Sequence, residues 1–328
     1  MQKLLTIIVP VYNVEPYINK CLDSLILEDA NLMELLEVII VNDGTPDRSA
    51  ELSREYVKRY PKTFRQIDKE NGGHGSAWNV GLKEATGKYV RFLDSDDWLT
   101  NLDKLLNNLQ TTDVDVVVTQ VSIFYSKENR TEVNDSFKDI DGRELPIESE
   151  KFGAGISNFW HSTYNLSLLK PLYPLFLEGV SYDDTILCIV PHLFAKTFVV
   201  YDFVVYNYLQ GREGQSVDIK VVQKKMNDHF KNYRQLVEFV ENTEYGLADK
   251  FVEEVLADYR MKLFNIAAIV PDYDKSREYM NIVKSLGNLE GIGCRDYRLY
   301  KLFPYRLFHF YKQVNIGLKK LIRKITRY

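Results

Sequence analysis

Cysteine is scarce in this chain: Cys21, Cys188 and Cys294 are the only three in 328 residues. Their number is odd, their spacing wide, and no CxxC pair or Cys/His cluster accompanies them. That excludes a disulfide framework and a zinc site and predicts reduced, mostly buried thiols in a cytoplasmic protein. Long apolar runs are missing too. None approaches the roughly 18 residues that a bilayer-spanning segment needs. Met1 leads straight into an apolar strand without a cleavable pattern, so no secretory signal is expected. The net charge of −4 is too small to imply a polyanionic partner such as nucleic acid. The chain has no internal repeat, no low-complexity tract, no G-x-G-x-x-G fingerprint and no Gly-Lys-Ser/Thr closing a phosphate loop. A NAD-dependent dehydrogenase therefore fails at the first loop.

What is present is a soluble-globular composition, 45% apolar and 27% charged, enough to bury a large core without disulfides. Aromatic content is 13%, with 22 tyrosines, which suits a surface that meets sugars or a membrane interface. Charge is unevenly placed: from Arg298 to the end there are nine Lys or Arg residues and no acidic one.

Residues 87–99 organise the chain. Gly87 opens a turn, a buried strand follows, and Asp94, Asp96 and Asp97 arrive where that strand ends. In open α/β sheets ligands sit beyond the carboxyl ends of strands. Carboxylates at i and i+2 of extended chain share a side, so Asp94 and Asp96 can converge on one object. Crowded carboxylates need a cation or a shared proton, and oxygen ligands suit Mg²⁺ or Mn²⁺. The competing reading is a helix N-cap, where Asp is equally at home.

Around this stretch the pattern is β-α-β-α. Residues 4–11 form an apolar strand expected to stop at Pro10, and a helix follows from about Glu15-Pro16. A second strand, 36–41, leads into the loop Asn42-Asp43-Gly44, and another helix spans 49–60. Asp43 is placed to meet a nucleoside or merely to make the turn before Gly44. Residues 71–81 are dense in glycine and lead into a helix, whose amino end is a natural anion site. A strand is expected over 114–124 and an exposed excursion or hairpin over 126–150. His161 could touch a substrate, although a lone histidine is more often structural. Asp183 and Asp184 open a helix, as caps or as a general base. Strand structure over 197–209 delivers Arg212 into a glycine-flanked loop, where it can clamp a phosphate or simply be exposed. Residues 219–328 read as helices with breaks near 244–246, 271–274 and 287–293. The final stretch, 305–327, is basic and amphipathic; packing of its apolar face on the domain is favoured over contact with an anionic membrane.

Five stretches in order, Ile8-Val-Pro-Val-Tyr-Asn13, Val41-Asn-Asp-Gly44, Asn71-Gly-Gly with Asn79 and Gly81, Ala85-Thr-Gly-Lys-Tyr89 and Leu93-Asp-Ser-Asp-Asp97, resemble the family 2 glycosyltransferases over about residues 4–217. The resemblance implies an α/β fold of GT-A type, a doubly wound Rossmann-like mixed sheet over 1–217, with a helical C-terminal subdomain over 218–328. It implies inverting transfer of a hexose or N-acetylhexosamine from a UDP-sugar, with Mn²⁺ or Mg²⁺, to a hydroxyl of a glycan acceptor. Carried over position by position, Pro10 and Tyr12 border the uracil pocket and Asp43 reads the base. Asn71, Gly73, Ser95 and Arg212 belong to the donor side, Arg212 in a loop that folds over the diphosphate, and His74, in an insertion the family lacks, can reach the donor as well. Asp94 and Asp96 match the metal-binding DxD, Asp97 supports it, and Asp184, with Asp183 in reserve, matches the catalytic base.

The chain departs from the family at Asn42, where many relatives have aspartate, at Trp78, where arginine is common, and in the His74-Gly75-Ser76 insertion. Two other readings stand beside this one: a non-catalytic nucleotide-sugar or carbohydrate-binding protein, which the Asp94/Asp96 and Asp184 set disfavours, and a sugar-nucleotide pyrophosphorylase, whose basic glycine loop after the first strand is absent. Work in the cytoplasm, with peripheral contact to the inner membrane face through 305–328, is the expected location.

Overall fold

The computed structural model describes residues 2–133, 141–147, 159–212, 215, 219–242, 249–287 and 295–325. Cys294, the expected breaks at 244–246 and 288–293, the 217/218 boundary and parts of the 126–150 excursion lie outside the described residues. The chain forms two compact units, one built on residues 1–213 and the other on most of residues 214–328.

The first unit runs β1 (Leu5–Val11), α1 (Ile18–Asp23), α2 (Ala30–Leu35), β2 (Leu36–Asp43), α3 (Ser49–Arg59), β3 (Phe64–Lys69), α4 (His74–Glu84), β4 (Tyr89–Phe92) and β5 (Trp98–Leu99). It continues with α5 (Leu102–Leu109), β6 (Val116–Tyr125), β7 (Arg130–Val133), β8 (Glu144–Pro146), β9 (Ser162–Asn165), α6 (Leu166–Leu169), α7 (Asp184–Phe194) and β10 (Thr197–Gln210). The strands make one mixed sheet in the order β3-β2-β1-β4-β9-β6-β10-β5, with β7 beside β6 and β8 beside β10. β1 and β2 are buried along their whole length, as strands covered on both faces must be, and α4 packs on both.

Several expectations are corrected here. Pro10 lies inside β1 rather than ending it. The Ile8 carbonyl accepts from the Leu93 amide, so Pro10, two residues on, turns its missing donor to the same side, where β4 has already ended. The helix placed at Glu15-Pro16 begins only at Ile18, after a turn in which the Tyr17 and Ile18 amides both donate to Val14. Asn42 and Asp43 close strand β2 instead of sitting in a loop. β3 was not anticipated, because Arg65, Gln66, Asp68 and Lys69 give a sheet-edge strand little apolar signal. β9, four residues long, was equally hidden, yet it pairs antiparallel with both β4 and β6 and joins the two halves of the sheet.

The second unit contains α8 (Ile219–Lys224), α9 (Met226–Asn242), α10 (Asp249–Ile269), α11 (Tyr273–Ser285), α12 (Arg295–Leu302) and α13 (Tyr305–Ile325). α10 is its centre, packed on α9, α11 and α13, with Phe264 against Phe308. The described side chains of the basic terminal helix are packed only in part. Phe308 is buried, whereas Leu307, Phe310 and Val314 are 56%, 67% and 41% exposed.

Candidate active site

Asp94 to Asp97 do not run on as extended chain. The Asp97 amide donates to the Asp94 carbonyl at 3.0 Å, closing a reverse turn that feeds directly into β5. Convergence therefore comes from the turn, not from strand alternation as expected. The helix-cap reading fails, since the next helix, α5, begins at Leu102 after Asn101. One carboxylate oxygen of each of Asp94, Asp96 and Asp97 lies within 4.8 Å of the others.

The turn is clamped from β10, which pairs with β5. Tyr206 donates its hydroxyl to Asp97 Oδ2 at 2.6 Å and accepts from the Asp94 amide at 3.3 Å, while the Leu209 amide donates to Asp97 Oδ1 at 2.7 Å. Cys21 Sγ donates to the Asp94 carbonyl at 3.8 Å. Burial, then the charges of Asp96 and Asp94, holds the Asp97 carboxyl well above the usual range. Asp96 is raised by burial and by Asp94, against the opposing pull of Arg212. Arg212 Nε donates to Asp96 Oδ2 at 2.5 Å, its guanidinium 5.6 Å from the Tyr17 ring centre. Three crowded carboxylates, two of them held against ionisation and one of those two, Asp96, partly relieved by the Arg212 guanidinium, form an oxygen donor set that fits a hard divalent cation.

A second cluster meets the first through His74, the first residue of α4. Its Nδ1 lies 3.1 Å from both oxygens of Asp183 and its Nε2 3.1 Å from Asp94 Oδ1. Burial alone would lower its pKa, but the charges and hydrogen bonds of Asp183 and Asp94 outweigh that and raise it well above the usual value. The Trp78 ring centre is 4.0 Å from the imidazole, backed by Phe92, Phe159 and Phe176. Glycine is required at 75, where a Cβ would come within 2.6 Å of Asp183 Oδ2, and Gly73 has φ +87°.

The remaining candidates divide by what holds them. Asp183 is the N-cap of α7, accepting from the Asp184 amide, so the capping reading holds for it. Asp184, half-buried in the first turn, is left as the candidate base. The Asp43 carboxylate, 3% exposed, accepts from Lys69 Nζ at 2.7 Å and from the amides of Gly72 and Gly73 at 2.9 Å, and so anchors the glycine loop. Tyr12, just past β1, is 50% exposed and Asn71 is exposed, whereas Pro10 and Ser95 are buried. His161 stands apart: it is buried, with Nδ1 2.7 Å from the Thr119 carbonyl, and burial lowers its pKa to about 4. Sequence reasoning missed Tyr206 and Lys69. The alternating tyrosines of β10 were the only signal for the first; the second lies on the unrecognised β3.

A solved structure of Staphylococcus aureus TarS 1–349 in complex with UDP-GlcNAc superposes with a TM-score of 0.67 at 22% identity, over 86% of this chain and 81% of that one. The mannosyltransferase PcManGT of Pyrobaculum calidifontis, in complex with GDP-Man and Mn²⁺, superposes at 0.54 and 16% identity, over 96% and 88%. The fold is of the GT-A class. The model of Glycosyl transferase family 2 matches residues 6–171, half of the chain, and the chain belongs to that family. Among curated relatives, the uncharacterized glycosyltransferase EpsJ of Bacillus subtilis is 43% identical over 119 residues, 36% of this chain and 33% of its own. The poly(ribitol-phosphate) beta-N-acetylglucosaminyltransferase TarS of S. aureus is 26% identical over 273 residues, 80% of this chain and 44% of its own. The chain thus spans well under two thirds of these relatives.

Proposed function

We propose that the protein is an inverting glycosyltransferase that moves a hexose or N-acetylhexosamine from a UDP-sugar to a hydroxyl of a glycan acceptor. The observation that carries this reading is the Asp94-Asp96-Asp97 turn with Arg212 seated on it. TarS bound to UDP-GlcNAc and PcManGT bound to GDP-Man and Mn²⁺ lend it support. Asp96 and Asp94 would hold Mn²⁺ or Mg²⁺, which supplies charge neutralisation for the departing diphosphate. Arg212, already at the turn, exchanges Asp96 for the diphosphate and adds a donor there. Tyr12 lies against the uracil with Pro10 behind it, and Asp43 serves the base from the anchored loop of Asn71 and Gly73. Asp184 takes the proton of the attacking hydroxyl. The new bond to the anomeric carbon forms on the face opposite the one that breaks, and the bonding pair leaves with UDP, so an α-linked donor gives a β-glycoside. The domain carrying this chemistry is residues 1–217, with 218–328 as the helical subdomain. The protein works in the cytoplasm, and its basic terminal helix rests on an anionic membrane surface.

The test is hydrolysis and transfer with a panel of UDP-sugars and Mn²⁺, comparing the native protein with Asp96→Ala. Turnover of one sugar, reduced at least about 100-fold in the variant, is expected. Binding without turnover would favour the non-catalytic reading, and formation of a UDP-sugar from UTP and a sugar phosphate would favour the pyrophosphorylase.

A further inference from the structure

The imidazole of His74 stands between carboxylates on two separate elements: Asp94 in the acidic turn after β4 and Asp183 at the start of α7. Both ring nitrogens are engaged, and the Trp78 ring 4.0 Å away supports the imidazole. Trp78 itself is fully buried, so this wall does not give way. The neighbouring backbone is shaped to the same end, since Gly75 lets α4 approach Asp183 closer than any side chain allows. Around it, α4 and the loop before it also hold the segment leading to α7: Asn79 bonds the backbone of Leu175 and Phe176, Ser76 Oγ donates to Glu178, and the Gly179 amide donates to the Gly72 carbonyl.

We propose that His74 is a positioning residue for glycosyl transfer, a bridge that ties the acidic turn to the first turn of α7 and so sets Asp184 relative to Asp94. This rests on the reading of Asp184 as the base and of Asp94 and Asp96 as cation ligands. With one Asp94 oxygen turned to the imidazole, the other is left to the acidic turn. With Asp183 held by the ring and by its own cap bond, it is kept out of the cation's ligand set while Asp184 keeps its place. Loss of the imidazole removes the one side chain within hydrogen-bond distance of both carboxylates, and the two elements are no longer held at a fixed separation. A base displaced by about 1 Å costs on the order of 100-fold in rate.

The test uses the full chain and the variants H74A, H74Q, D183N and H74A/D183N. kcat and donor KM are measured, with Mn²⁺-dependent UDP binding by calorimetry as a readout independent of turnover. Expected in H74A are a kcat lower by about 100-fold with donor KM and UDP affinity within about tenfold of the native protein. Glutamine, able to reach one carboxylate only, falls between. The double variant is expected to be no slower than H74A, because both changes cut the same bridge. Losses that multiply, an unchanged kcat in H74A, or abolished Mn²⁺-dependent UDP binding at an unchanged melting temperature would each overturn the bridge while leaving the transferase reading intact. A folded native protein that turns over no UDP-sugar would instead sink the transferase reading, and the role of His74 with it.

Discussion

At the scale of single residues, neighbouring side chains of the same type do different work. Asp183 and Asp184 adjoin in sequence, yet one is buried, capping α7 and holding the His74 ring, and the other is half-buried in the first helical turn. Asn79 shows the reverse, a motif residue without an obvious task until its partners are seen. Its Nδ2 donates to the Phe176 carbonyl at 2.8 Å, and its Oδ1 accepts from the Leu175 and Phe176 amides at 3.0 and 3.1 Å. Asn79→Ala leaves these buried backbone groups unpaired and should destabilise the protein by about 2–4 kcal/mol in denaturant unfolding. A change under about 0.5 kcal/mol would show that the segment re-pairs elsewhere. The residue types of the site were legible in the sequence, because carboxylates after a buried strand are a strong chemical signal. Their partners were not, since Tyr206 lies 109 residues from Asp97.

At the scale of elements, the acidic segment was recognised but its shape was not. A reverse turn converges three carboxylates where an extended chain would have aligned two. The terminal helix was expected to pack its apolar stripe; among its described side chains Phe308 is packed. Leu307, Phe310 and Val314, at i, i+3 and i+7, stay exposed beside Leu302 at 75% and Phe303 at 49%. An apolar groove of about 290 Å³ lies between Leu299, Phe303, Leu307, Phe308 and Tyr311. On the proposal that the terminal helix rests on an anionic bilayer, this exposed apolar face would meet the lipid while the nine Lys or Arg residues from Arg298 onward would meet its headgroups. No described helix is long and apolar enough to cross one. The native protein should therefore sediment with vesicles containing phosphatidylserine, less so at high salt. L307E/F310E should lower the bound fraction by about tenfold or more, given the transfer cost of two large apolar side chains. Equal binding to neutral vesicles, or none to anionic ones, would exclude this surface; a concentration-dependent dimer abolished by L307E/F310E would assign it to a second copy of the chain.

At the scale of the whole molecule, three buried histidines make stability depend on pH. Burial lowers His161 and His192 to about 4 and His229 to about 3. The unfolded chain then binds protons that the folded one refuses at these three rings, so their contribution to stability is full above about 6.5 and is lost as pH drops toward 4. Each such group contributes about 1.4 kcal/mol per pH unit in that window. His74, shifted upward, works the other way: its contribution is full below about 6.5 and declines as pH rises above it, so it offsets part of the difference between pH 7.5 and 5.5. Urea unfolding at pH 7.5 and 5.5 should show the difference, and His192→Gln should reduce it; equal unfolding free energies at the two pH values would refute it.

What the sequence by itself determined is the alternation of strands and helices, the helical second unit and the presence of carboxylates at the end of a buried strand. Each is written in local apolar periodicity or in residue type, which act over a few positions. The mixed sheet order, the turn behind the acidic cluster and the His74 bridge were decided by the tertiary structure. β9 enters the sheet antiparallel between β4 and β6, and β10 lays Tyr206 against the turn. Contacts between segments dozens of residues apart leave no period in the sequence to read.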